Sequence, residues 1–217
     1  MSRAMAMAMG AAATAAPCLA ATAGSRRSRV CRAQAAPWAG GAEELVRSGA
    51  VRAVRPRDAA QALGAEGFRL LDVRPPWERA RAAVRGSAHA PLFVADEDMG
   101  VVTLLKKWVH FGYIGAWTGQ SFTKMNDRFL DDVAAAAGEG KDAKLLVACG
   151  EGLRSLIAVR MLHDDGYKNI GWLAGGFSKC VDGDFADVEG ESKLQYATVG
   201  GVSYIFLQIL LLLRVVN

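Results

Sequence analysis

Short apolar runs punctuate this chain at regular intervals. "AVRAV" (50–54), "FRLLDV" (68–73), "KLLVAC" (144–149) and "NIGWLAGG" (169–176) are dense in aliphatic residues and bounded by Gly, Pro or charge, as buried strands are. "SAHAPLF" (87–93) reads as a further strand or extended run. Between them lie stretches with helical marks. "RPRDAAQALGAEG" has Pro56 near its start and Gly67 after its end, and "PPWERARAAV" is a second helical piece. "FTKMNDRFLDDVAAAA" (122–137) predicts a helix, and "LRSLIAVRMLHDDG" another that stops at Gly166. Strands that alternate with helices predict an α/β fold: a mostly parallel central sheet with helices on both faces. In such sheets functional residues gather beyond the carboxyl ends of the strands, which is where Cys149 falls.

Both ends break the pattern. From Leu194 to Leu213 no residue is charged, and the apolar positions run all round rather than in a stripe. Twenty residues of helix cover about 30 Å, the thickness of a bilayer core. The segment is therefore expected to be a C-terminal transmembrane helix, with a buried core helix as the other reading. At the opposite end no Asp or Glu precedes Glu43, and Arg3, Arg26, Arg27, Arg29 and Arg32 accompany many Ala and Met. An acid-free, Arg- and Ser-bearing start is the composition of an organellar transit peptide. "RVCRAQAA" places its cleavage near Ala33, which makes 1–33 the transit peptide.

That segment alters the charge balance. The whole chain has 26 basic and 22 acidic residues, a net +4. Without the five arginines of 1–33 the balance is 21 − 22 = −1. The remainder shows no basic stripe with interleaved aromatics, so nucleic acid is not an expected partner. Cys18 and Cys31 leave with the transit segment, and Cys149 and Cys180 remain. Two cysteines make no disulfide framework, and no Cys/His spacing calls for a metal or another cofactor.

The chemistry centres on "CGEGLRS" (149–155). Gly150 and Gly152 permit tight or left-handed turns, so that successive N–H groups converge into an anion-binding nest. A helix starting between Leu153 and Ser155 adds the positive end of its dipole. Cys149 at the centre of that nest is expected to have its sulfur held by backbone donors, which suits a nucleophile. Arg154 is placed to bind an incoming oxyanion. An inert buried cysteine before a Gly-rich turn is the bland alternative; the strand, both glycines, the arginine and the helix start together argue against it.

Four segments in order carry a resemblance. "LLDVRPPWE" (70–78), "RGSAHAPL" (85–92), "CGEGLRS" and "GYKNIGWLAGGF" (166–177) resemble the signatures of single-domain rhodanese (thiosulfate sulfurtransferase-like) proteins of plant plastids. The resemblance spans roughly 43–187. It implies a rhodanese-like fold, Cys149 as the catalytic residue, and Gly150, Glu151, Gly152, Leu153, Arg154 and Ser155 as the substrate loop. It implies that Asp72 and Arg74 support the loop, with Arg74 able to pair with Glu78. It implies a chloroplast location; the apolar C-terminal run is then expected to anchor the chain in the thylakoid or envelope membrane, with the domain in the stroma because a charged donor needs an aqueous pocket. The chain departs from the family pattern at three places. Cys180 stands where a Trp is usual, "AAVRGS" replaces a Gly-His-Ile approach, and Glu151 puts a carboxylate in the anion cradle. Residues 96–121 form an aromatic and Gly-rich insertion, a candidate surface for a protein partner.

The expected activity is sulfur transfer from a small donor such as thiosulfate to a thiol or cyanide acceptor, through a Cys149 persulfide. A cysteine phosphatase would have five residues between Cys and Arg, whereas here there are four, Gly150 to Leu153. A membrane-tethered binding or scaffold module with little catalysis is the alternative of a different class. His89 and His163 are read as structural, and Cys180 as a packed small residue.

Overall fold

The computed structural model describes residues 39–138 and 140–213. The expected transit segment 1–33 lies outside them. Helix α1 (Ala39–Arg47) precedes strand β1 (Arg52–Val54), and α2 (Ala59–Gly64) leads to β2 (Arg69–Asp72). A four-residue α3 (Pro76–Arg79) is followed by β3 (Ala82–Val84), β4 (Ala88–His89) and β5 (Phe93–Ala95). The chain then rises through α4 (Val101–His110), a π-helical stretch (Phe111–Gly115) and α5 (Ala116–Thr118) before returning as β6 (Thr123–Met125). After α6 (Phe129–Ala137) come β7 (Lys144–Ala148), α7 (Leu153–Asp164), β8 (Asn169–Leu173), β9 (Val188–Gly190) and α8 (Gly201–Leu212).

Five strands form a wholly parallel sheet in the order β1-β8-β7-β2-β4. The central strand β7 shows why the sequence folds this way. Leu145 and Val147 point to one face and join Leu71, Phe129, Val133, Val159 and Leu162. Leu146 and Ala148 point to the other and join Leu70, Ala62, Leu173 and Phe177. A strand buried on both faces has no polar positions to spare, so its apolar run is continuous. Burial of Leu145, Leu146 and Val147 to 0% exposure removes about 1.5–3 kcal/mol per side chain of apolar hydration cost.

The expected helix over 122–137 is shorter than the pattern suggests. Its first residues make β6, which pairs antiparallel with β5 and closes the base of the 96–121 insertion. "PPWERARAAV" likewise divides: Ala82–Val84 leave the helix and pair antiparallel with β9. The acidic stretch 182–191 holds that strand and the buried Phe185.

The C-terminal expectation is corrected. No helix among the described residues is long and apolar enough to cross a membrane. The uncharged run does not form one helix. Leu194–Tyr196 make a single 3₁₀ turn, and Leu194 and Ala197 are buried in the core of the domain. Gly200 and Gly201 then break the chain, Gly201 at φ +57°. Only the twelve residues of α8 remain helical, about 18 Å. Counting apolar residues could not show that the first third of the run belongs to a core.

Candidate active site

The carboxyl end of β7 delivers Cys149 into the loop, and Gly152, at φ +93°, turns the chain into α7. Only glycine takes that conformation without strain. The turn brings two backbone donors to one sulfur: Gly152 N–H donates to Cys149 Sγ at 3.1 Å and Ser155 N–H at 3.3 Å. The N–H groups of Leu153 and Arg154 lie in the same first helical turn and make no backbone hydrogen bond among the described residues. Cys149 thus sits at the positive end of a twelve-residue helix, inside a cradle of amide hydrogens.

The cradle is braced from outside. Cys149 S–H donates to Ser155 Oγ at 3.3 Å, and Ser155 O–H donates to the Gly152 carbonyl at 2.9 Å. Trp172, on β8, donates its indole N–H to both Gly152 O and Ser155 Oγ at 3.1 Å. The Gly175–Gly176 pair that ends β8 packs directly on the loop. A Cβ on Gly176 would fall within 3 Å of Cys149 O, Gly150 O and Gly152 N. With no side chain there, Phe177 N–H reaches Cys149 O at 2.9 Å and Ser178 N–H reaches Gly150 O at 2.8 Å.

A cleft of about 270 Å³ opens over Cys149. Trp77, Phe93 and Leu153 give it apolar walls, and Gln120, Ser121 and Thr198 line its polar side. Glu151 and the ion pair of Glu78 with Arg154 supply its charges. Arg154 grips Glu78 with both terminal nitrogens, at 2.8 and 2.7 Å. Burial works to lower the Arg154 pKa, but the hydrogen bonds and charge of Glu78, with Cys149 and Asp72 behind them, hold it above the ordinary value. The guanidinium is a permanent cation beside the sulfur.

The pairing expected between Arg74 and Glu78 is not made. Arg74 is wholly buried and turns instead to Asp72, with Nε at 3.0 Å and Nη2 at 2.6 Å from its carboxylate oxygens. It stacks 4.3 Å from the Phe177 ring centroid and donates to Ala82 O at 2.8 Å. Buried charge needs both a partner and further hydrogen bonds, and the adjacent carboxylate at the end of β2 takes Nε and Nη2 of Arg74, while Nη1 has no partner among the described residues. Glu78 is thereby free for Arg154. Arg74 and Asp72 lie beneath the cleft, not in its wall; His89 Nε2 is tied to Arg74 O at 2.9 Å.

Sequence reasoning missed the brace Trp172 and the cleft-lining Trp77, Phe93, Gln120, Ser121 and Thr198. Thr198 presses on Gly150, where any Cβ would collide with its hydroxyl. It was hidden in the run counted as transmembrane. Trp172 stands at an ordinary strand position, with no local sign that its N–H braces the loop.

The geometry meets an independent similarity. The family model "Rhodanese-like domain" matches residues 55–182. The chain belongs to the rhodanese-like family. It is 56% identical over 171 residues to rhodanese-like domain-containing protein 10 of Arabidopsis thaliana, covering 79% of each chain. It is 39% identical to rhodanese-like domain-containing protein 11, chloroplastic, and 36% identical to rhodanese-like domain-containing protein 9, chloroplastic, both of the same plant. Those matches cover 73% and 69% of this chain, and 53% and 62% of the two relatives, less than two thirds of their length. The rhodanese-like match includes β2, the Cys149 loop and the Gly175–Gly176 turn, the elements that build the cleft.

Proposed function

We propose that this rhodanese-like protein is a sulfurtransferase that works through a persulfide on Cys149. The observation that carries the reading is the cradle itself: a sulfur at the floor of a cleft, receiving N–H donors from Gly152 and Ser155, with Arg154 five positions along. In the first half-reaction the Cys149 thiolate attacks the outer sulfur of a donor such as thiosulfate. The new S–S bond forms as the donor's S–S bond breaks, and sulfite leaves with the bonding pair. In the second, a thiol or cyanide attacks the terminal sulfur, and Cys149 departs as thiolate. No net oxidant is needed. Fixed amide dipoles stabilise the anionic sulfur in both halves at no reorganisation cost.

The four-residue interval from Cys149 to Arg154 supports sulfur transfer over phosphatase chemistry, because it makes a tight loop whose donors close on one sulfur atom. A chloroplast location is part of the proposal. The acid-free, Arg-bearing start supports it, as do the two relatives named chloroplastic.

The test is mass spectrometry of the purified protein after incubation with thiosulfate or mercaptopyruvate. One added sulfur atom is expected on Cys149, absent in Cys149→Ser and retained in Cys180→Ser, with sulfur transfer to cyanide following the same pattern. Equal loss in both variants would replace this mechanism with a two-cysteine relay.

A further inference from the structure

The stretch from Val101 to Thr118 is built inside out. Its less exposed positions, Thr103, Lys107, His110, Gly115 and Thr118, are polar or small. Thr103 hydrogen-bonds the Asp98 carboxylate, Lys107 Nζ donates to Asp98 O at 2.7 Å, and His110 Nε2 lies 3.1 Å from Gln120 O. Its large apolar residues point away: Trp108 is 77% exposed, and Leu105, Phe111 and Tyr113 are also exposed. Helix α8 is apolar all round: Ser203, Tyr204, Leu207, Gln208 and Leu211 are on its less exposed side, while Ile205, Phe206 and Ile209 face outward. Water alone does not favour this order, since surface helices ordinarily turn the apolar stripe to the core.

The two exposed apolar segments form one surface. Trp117 meets Phe206 with ring centroids 6.1 Å apart. Gly119 and Gly201 let the backbones touch, for a Cβ on Gly201 would fall within 3 Å of Ala116 O, Trp117 O and Gly119 N. Soluble monomers rarely expose contiguous apolar patches beyond a few hundred Å².

We infer that this surface docks the domain on a lipid bilayer, with α4, α5 and α8 lying in the plane of the interface. Charge and composition select lipid over a second copy or a protein. Residues 99–126 contain Lys106, Lys107 and Lys124 and no acid, and residues 194–213 contain no charge at all. Lysine is depleted at the centres of protein interfaces. Lysine with outward Trp and Tyr is instead the composition of a helix lying at an anionic headgroup layer. Four acids flank this stretch, Asp96, Glu97 and Asp98 before it and Asp127 after it, outside α4 and α5; Asp98 is engaged by Thr103 and the Gly100 N–H at the start of α4. A spanning arrangement is closed to these helices by their length and apolarity. The docking differs from a tail anchor because half of it comes from the insertion. Gln120 and Ser121, which follow α5, and Thr198, which precedes α8, line the cleft over Cys149. The segments that meet lipid are therefore continuous with the mouth of the site, so a sulfur donor or acceptor held at the membrane surface would have short access to it.

Flotation of the full chain with phosphatidylcholine vesicles containing phosphatidylglycerol tests this. We expect the protein to float with them, less so with pure phosphatidylcholine or at high salt, and to be released by alkaline carbonate. Leu105→Glu and Ile209→Glu should each weaken binding about tenfold, because each removes about one buried aliphatic side chain from the contact. Both positions are exposed, so far-ultraviolet circular dichroism and persulfide formation with soluble thiosulfate should be unchanged. Three results would each overturn the proposal: no flotation together with a dimer on size-exclusion chromatography; no flotation of a monomer; or carbonate-resistant binding that the Glu variants leave intact.

Discussion

The carboxylate of Glu151 stands exposed on the rim of the cleft and makes no hydrogen bond among the described residues. Glu78 and Arg154 cancel, so Glu151 leaves the cleft lining with one net negative charge. A dianionic donor must approach against that charge, which the amide cradle and helix dipole only partly offset. Glu151→Gln should lower the KM for thiosulfate severalfold with little change in kcat, and the difference should shrink as salt screens the carboxylate. Steady-state kinetics at low and high ionic strength measure this; an unchanged KM would mean that Glu151 does not face the incoming donor. The loop that surrounds Cys149 could be read from the sequence, because it is contiguous and its turn is set by local glycine chemistry. Glu78 could not be assigned correctly, because two acids and two arginines within reach of one another allow more than one pairing. Burial of Arg74 beside Asp72 decides it.

Among the elements, the last segment departs most from its sequence pattern. Leu194 and Ala197 complete the core on the β3 side of the sheet, and Arg81 donates to Val199 O at 2.5 Å. Helix α8 begins only after this clasp. Two truncations separate the parts. A chain ending at Ser192 loses two core side chains and the Thr198 wall of the cleft. It should lose about 3 kcal/mol or more of stability, the scale of emptying a core leucine site, and form persulfide poorly. A chain ending at Gly200 loses α8 alone and should unfold near the full-length midpoint with the loop still reactive. Urea denaturation and the mass assay compare them. Equal stability in both would place 193–200 outside the folding unit.

Across the whole molecule, Cys180 links stability to pH. It packs beside Phe177 and Phe185, and burial, helped by the charge of Asp184, pushes its pKa up from an ordinary 9.0 to about 12. The folded protein keeps this proton where the unfolded chain releases it. The native state therefore binds more protons between pH 9 and about 12, and stability falls as pH rises through that window. The slope from this one group approaches about 1.4 kcal/mol per pH unit. Cys180→Ala should flatten the wild-type decline above pH 9, and denaturant midpoints across alkaline pH read the difference. Identical slopes would mean that the thiol reaches water in the folded state.

The chain's own pattern determined the mostly parallel sheet, the succession of its main strands along the chain and the placement of Cys149 at a strand end. These follow from local periodicity and glycine chemistry, which need no partner to be read. Tertiary structure decided the rest. Whether "LQYATVGG" lies in a core or a membrane depends on the pocket that Phe177, Phe185 and β3 leave open, and Leu194 and Ala197 fill that pocket. Whether Trp172 is a plain strand residue or a brace depends on α7 bringing Ser155 within 3.1 Å of its indole. The inverted polarity of Val101 to Thr118 had the same cause. Its composition reads as apolar either way, and only the docking of Thr103, Lys107 and His110 on their polar partners shows which side faces out.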